Sequence, residues 1–233
     1  MNVIEINGLV KKYPGFTLGP LNLEVPQGAI VGFVGENGAG KSTTLRLILG
    51  LAHPDAGTIN LLGQPAGADH PRAHERVGVV FDDISLPDSF TVKNAGEFGK
   101  RLYKSWDGQT YASYQQRFHL ASSKRVGELS RGMRMKLGLA MALSHASDLL
   151  IFDEATSGLD PVIRDEVLYI MLEFIEVPTH SILFSSHIVS DIEKAADYVA
   201  FIREGKLKFM EQKDELLDSW RIVALTNEQA NQL

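Results

Sequence analysis

The sequence predicts an α/β fold: a mostly parallel core sheet, an antiparallel β layer, and an inserted helical subdomain. Three observations carry that prediction. Short apolar runs, Ala29 to Val34, Val77 to Phe81, Asp148 to Phe152 and His180 to Ser185, recur between segments of helical spacing, as buried parallel strands do. The first stretches, Val3 to Val10 and Thr17 to Val25, flank the turn residues Tyr13-Pro14-Gly15 and read as an antiparallel pair. Residues from about Thr91 to Ala146 are poor in strand patterns and hold three helix candidates, so they read as an insert.

In chain order, Ala29 to Val34 is a buried strand. Ser42 to Leu49 is a helix, with helical spacing at Leu45, Ile48 and Leu49 and a stop at Gly50. Pro54-Asp55-Ala56-Gly57 turns the chain into a strand over Thr58 to Leu61. Asp69 to Arg76 is a charged connection before the strand Val77 to Phe81. Helix candidates follow at Thr91 to Leu102, Asp107 to Leu120 and Ser130 to Ala146. In the last, Leu137, Ala140, Met141 and Ser144 share a face and Ser130 is placed as N-cap. Asp160-Pro161 opens a helix toward Glu176, proline suiting a first helical turn. The strand His180 to Ser185, a helix from Ile188, and the strands Tyr198 to Arg203 and Lys206 to Glu211 around Glu204-Gly205 complete the core. Residues 1–233 read as one domain, with 91–146 as its helical subdomain and 213–233 as a short helix and a loose polar tail.

Composition excludes several classes. A chain of 233 residues can bury a full core, and a net charge of −6 without any Lys/Arg-rich run argues against a dedicated nucleic-acid surface. The absence of cysteine fits a cytosolic protein. Met1 to Glu5 has neither a basic region nor an apolar one, so no signal peptide is expected, and no apolar stretch approaches membrane-spanning length. If this chain drives movement across a membrane, another chain must form the path.

Gly35-Glu36-Asn37-Gly38-Ala39-Gly40-Lys41-Ser42-Thr43 fits G-x-x-x-x-G-K-[ST] at every fixed position, between a strand and a helix. Glycines at 35, 38 and 40 let successive N–H groups converge on one anion, at the positive end of the following helix. Lys41 supplies a cation for β- and γ-phosphates, and the Ser42 hydroxyl can ligate Mg²⁺. The apolar run ending in Asp153-Glu154 brings two acids to the edge of the sheet where ligands of open α/β folds bind. Asp153 suits Mg²⁺ coordination through water, and Glu154 suits polarising an attacking water. His187 follows an apolar run and so reaches the same edge, near Glu154 if the strands are neighbours. His70 and His74, spaced i and i+4, could hold a metal, but with no further ligand nearby a solvated loop is the better reading.

The order of these motifs resembles the ATPase subunits of ATP-binding cassette (ABC) transporters over about residues 3–212. Tyr13 stands where that family has the aromatic that stacks on adenine. Gly35 to Thr43 matches its Walker A loop, Leu129-Ser130-Arg131-Gly132-Met133 its Leu-Ser-Gly-Gly-Gln signature, and Asp148 to Glu154 its Walker B strand. Ser157-Gly158-Leu159-Asp160 looks like the D-loop and Phe184-Ser185-Ser186-His187 like the switch histidine. The resemblance implies a P-loop NTPase (RecA-like) core with ATP and Mg²⁺ as cofactors. It implies nucleotide contacts from Tyr13, from Gly35, Glu36, Asn37, Gly38, Ala39, Gly40, Lys41, Ser42 and Thr43, and from Asp160. Ser42 and Asp153 would hold the metal, with Glu154, His187 and Lys41 catalytic; Asp82, by its own chemistry and not by the resemblance, is a candidate third metal ligand. Two cassettes, identical or different, would sandwich ATP so that each P-loop faces the other's Ser130 and Gly132. A separate transmembrane permease would hold the pair on the inner face of the membrane, its coupling helix in a groove near Phe90 and Phe98. The motif wording looks most like the bacterial ABC-2-type exporter group.

This sequence departs from the pattern in three places. Arg131 and Met133 replace a Gly and a Gln of the signature, while Ser130 and Gly132, the γ-phosphate positions, are kept. Ala155 stands where many members have proline. Asp82 occupies the position of the Q-loop glutamine, where a carboxylate either ligates Mg²⁺ directly or repels the γ-phosphate and slows hydrolysis. A soluble ABC-type mechanoenzyme acting on DNA or the ribosome is the alternative, although coiled coils, tandem cassettes and basic extensions are all missing. A P-loop kinase is disfavoured by the signature and D-loop.

Overall fold

The computed structural model describes residues 1–66 and 71–219. Its first strands, β1 (Asn2–Tyr13) and β2 (Phe16–Pro26), form a hairpin closed by Tyr13 opposite Phe16. The strand β3 (Ile30–Val34) leads through the glycine-rich loop into α1 (Lys41–Ile48). Gly50 takes φ 68° just past that helix, and the N–H of Leu51 returns to the carbonyl of Arg46 at 2.8 Å, which closes the helix as the sequence anticipates. The strand β4 (Ala56–Leu61) pairs with β1, and a two-residue strand β5 (Gln64–Pro65) that no periodicity announces adds to its edge. The described part of the charged connection is a 3₁₀ turn at Pro71–His74; His70 lies outside the described residues.

The strand β6 (Val77–Phe81) precedes the insert, whose helices are α2 (Val92–Leu102), α3 (Gly108–Arg117) and α4 (Arg131–Ala142). Both later helices stop short of the expected ends. At the end of α3, His119 adopts φ 54°, and the Leu120 N–H bonds the Gln115 carbonyl at 2.9 Å. A histidine in a left-handed cap carries no sequence signal comparable to glycine. Next come β7 (Leu149–Asp153), α5 (Pro161–Ile175), β8 (Ser181–Ser186), α6 (Val189–Ala195), β9 (Tyr198–Arg203), β10 (Lys206–Gln212) and α7 (Lys213–Ser219). The expected loose tail beyond Trp220 lies outside the described residues.

Two sheets result. An antiparallel one has the order β2-β1-β4-β5, and a second has the order β10-β9-β3-β8-β7-β6, parallel except for β10. Alternation along each core strand divides its side chains between two apolar clusters. Val31, Phe33, Leu149, Ile151 and Leu183 join the antiparallel layer and α1, whereas Ile30, Leu150, Phe152, Ile182 and Phe184 join α4, α5 and α6. Because both faces are covered, these strands read as uninterrupted apolar runs. Register then sets the site. Val34 lies opposite Ser186, Asp153 opposite Ser185, and Phe81 opposite Asp153, so Gly35, His187, Glu154 and Asp82 all emerge at one edge.

Candidate active site

The loop between β3 and α1 needs its glycines for different reasons. Gly40 has φ 115°, closed to side chains, and a Cβ at Gly35 would collide with the Ile202 carbonyl oxygen of β9. The Ala39 carbonyl accepts from the Gly205 N–H at 2.9 Å, which fastens the loop to the β9–β10 turn.

Lys41 is buried, and its Nζ donates to the carbonyls of Gly35 at 2.6 Å and Glu36 at 3.2 Å. The same ammonium stands 3.1 Å from Oε1 of Glu154, whose Oε2 lies 2.6 Å from His187 Nδ1. Glu154 therefore links the glycine-rich loop to the residue after β8. Its backbone has φ 53°, a left-handed conformation uncommon away from glycine, and its N–H donates to Ser185 Oγ at 2.9 Å. Ser185 in turn donates to Asp153 Oδ1 at 2.9 Å, and Ser42 Oγ donates to the same oxygen at 3.0 Å. Ser185 carries no role in the motif reading; a serine fully buried directly after the apolar run Ile182-Leu183-Phe184 is the available signal.

These groups bound a cavity of about 580 Å³, lined by Phe16, loop residues from Asn37 to Thr43, Asp82, Glu154, Ser157 and His187. A smaller recess of about 380 Å³ adjoins the loop on its other side, between Phe16, Glu36 and Glu204. Asp82 thus reaches the cavity, while Ser42 and Asp153 place two hard oxygen donors together. Among the described residues no group of three acidic, His or Cys side chains gathers to hold a metal. That donor set fits Mg²⁺, which is held by few protein ligands and completes its shell with phosphate oxygens and water.

Tyr13 and Asp160, expected at the nucleotide, do not line the cavity, and Ser130 and Gly132, expected at a second cassette's nucleotide, lie outside it too. Tyr13 does not line the cavity; its half-exposed ring lies under the Lys11 ammonium, 5.6 Å from centroid to Nζ, and the aromatic at the cavity wall is Phe16, its partner across the hairpin. Asp160 caps α5, Oδ1 accepting from the N–H groups of Val162 and Ile163 at 3.1 Å each, and Ser157 is the cavity residue of that loop. Ser130 caps α4, accepting from the Met133 N–H at 3.3 Å, away from this chain's own cavity. Gly132 is buried against α5, where a Cβ would collide with Ile163 Cδ1. Arg131, the departure beside it, lays its guanidinium against Gly158.

Residues 18–157 match the sequence family described as ABC transporter. The chain is 35% identical over 209 residues to the Nod factor export ATP-binding protein I of Burkholderia orbicola, covering 87% of this chain and 68% of that protein. It is 35% identical over 211 residues to the bacitracin transport ATP-binding protein BcrA of Bacillus licheniformis, covering 88% and 68%. A solved ATP-binding subunit of an ABC transporter superposes with a TM-score of 0.83 at 26% identity, covering 93% of this chain and 92% of that one. With the nucleotide-binding loop, the paired acids and the histidine converging on one sheet edge, the chain belongs to the ABC transporter family as an ATP-binding, ATP-hydrolysing subunit.

Proposed function

We propose that the cavity holds ATP with Mg²⁺ and that the named residues divide the hydrolysis between them. Lys41 and the loop amides bind the β- and γ-phosphates, and Ser42, Asp153 and Asp82 hold the metal, which when bound draws charge from the phosphate oxygens. Glu154 orients the water whose oxygen attacks the γ-phosphorus as the bond to the bridging β–γ oxygen breaks. His187 faces the charge that develops on the transferred group. The observation that carries this reading is Glu154, held between Lys41 at 3.1 Å and His187 at 2.6 Å beside the Ser42–Asp153 pair. Positioning and electrostatics, the main contributions to phosphoryl transfer, need such a pre-arranged set.

The reading extends to a single cassette over 1–233, with residues 91–146 as its helical subdomain and α7 following the last strand. A second cassette faces Ser130 and Gly132, which fits their position outside this chain's own cavity. Relatives named for Nod factor export and bacitracin transport support export through the transmembrane partner. No described helix is long and apolar enough to cross a membrane, which suits attachment through that partner on the inner face.

Glu154→Gln is expected to retain ATP affinity while turnover falls about a hundredfold or more, because Lys41 and the loop amides of the phosphate cradle are kept while the water-orienting base is lost. Light scattering should find this variant monomeric without nucleotide and dimeric with ATP; wild-type turnover in the variant would remove Glu154 from its role. For the metal, Asp82→Ala is expected to raise the Mg²⁺ concentration for half-maximal activity, with Asp82→Gln milder because its amide oxygen is still a hard ligand. An unchanged midpoint would leave Asp82 without that role.

A further inference from the structure

We propose that Arg134 is a positioning residue: its guanidinium ties the loop after β6 to the carbonyl preceding Ser130, and so sets how Ser130 is presented to the second cassette. The inference rests on the reading that Ser130 faces a partner's nucleotide. Arg134 ends the first turn of α4, with Nε donating to Asp83 Oδ1 at 2.9 Å and one terminal nitrogen donating to the Leu129 carbonyl at 3.2 Å. Asp83 Oδ1 also accepts from the Ile84 N–H at 2.9 Å, so the carboxylate is pinned to its own loop. The carbonyl of Leu129 belongs to the peptide that enters Ser130, and Ser130 Oγ is already committed to the Met133 N–H. Gripping that peptide from Arg134 fixes the direction in which Ser130 leaves it.

The location gives the link its consequence. Asp82 lines the nucleotide cavity, while its neighbour Asp83 lines an apolar groove between β6, α2 and α4. Arg134 joins that boundary to the signature segment. Its side chain is 28% exposed and that of Asp83 58%, and an ion pair so wetted adds little to stability. A planar two-pronged fork still supplies direction. The effect therefore belongs to dimer formation and not to folding.

The test uses the full chain carrying Glu154→Gln, with ATP-driven dimerisation followed by light scattering. Arg134→Ala and Asp83→Asn should each raise the ATP concentration for half-maximal dimerisation about three- to tenfold, as expected when the net worth of one ordinary hydrogen bond is lost. The double variant should shift it no further than either single one, and Arg134→Lys, which keeps a cation without the fork, should fall between. Binding of a fluorescent ATP analogue to the monomer and the melting temperature should not move. Ser130→Ala is the reference. If it shifts the midpoint while Arg134→Ala and Asp83→Asn do not, or if the two shifts add in the double variant, the positioning role is wrong and the two-cassette reading stands. If ATP produces no dimer in the Glu154→Gln chain, both fall.

Discussion

Phe16 and Tyr13 separate what a motif position predicts from what a hairpin does with it. The two face each other where β1 and β2 close, yet of the pair only Phe16 lines the cavity, while the Lys11 ammonium lies over the Tyr13 ring. Base-to-aromatic stacking is worth about 1–3 kcal/mol per base, or roughly 5- to 150-fold in affinity. Phe16→Ala is therefore expected to weaken ATP binding by about tenfold, with Tyr13→Ala within about twofold of wild type. Fluorescence titration decides it, and a larger loss at Tyr13 than at Phe16 would assign the stacking role to Tyr13. Lys41, Ser42, Asp153, Glu154 and His187 were legible in the sequence because each sits in or beside a linear motif at a strand end. Phe16 and Ser185 were not, because their places depend on hairpin register and strand order, which no local spacing records.

The elements that present the signature depend on close approach between α4 and α5. Gly132 lets the two helices meet at Ile163, and Lys136 pairs with Glu166 at 2.7 Å further along the same faces. Gly132→Ala should place a methyl group against Ile163 Cδ1, the mobile end of that side chain, for a net cost of about 1 kcal/mol or less once alanine's better helix propensity is set against the overpacking. Ile163→Val removes the colliding Cδ1 and should return most of that loss in the double variant. Thermal melting of the four chains tests this, and independent, additive effects would show that the collision is relieved some other way. Element identity was legible wherever period and caps agreed: Ser130, Asp160 and Pro161 begin their helices as residue type predicts. Ends were less legible, since α3 stops on a left-handed histidine and β5 is two residues long.

At the scale of the whole molecule, the described residues leave a groove open beside the edge of the core sheet. Between β6 and helices α2 and α4 runs a groove of about 600 Å³, walled by apolar side chains including Leu51, Ile84, Phe98 and Met141. Phe98 is 41% exposed, with Phe90 edge-on behind it at 6.3 Å between ring centroids. Glu75 supplies acid to the lining, Asp83 there being already paired with Arg134, while His145 behind the groove, stacked on Tyr103 at 3.7 Å, is pushed down to about 4 by burial and adds no positive charge near neutral pH. An apolar helix tip carrying a basic residue suits that lining, and the transmembrane partner of an ABC subunit must grip the cassette without covering the nucleotide edge. The groove answers both needs, because its walls are β6 and the insert while the cavity lies past the strand ends. A buried aromatic at the centre of such a contact is worth about 2 kcal/mol or more, at least thirtyfold in affinity. Phe98→Asp is therefore expected to abolish co-purification with the membrane partner from solubilised native membranes, while ATP binding and the ATP-driven dimer of the Glu154→Gln chain persist. Partner recovered in wild-type amounts would move the docking surface off this groove, whereas loss of the dimer as well would mean that Phe98 supports the cassette's own fold.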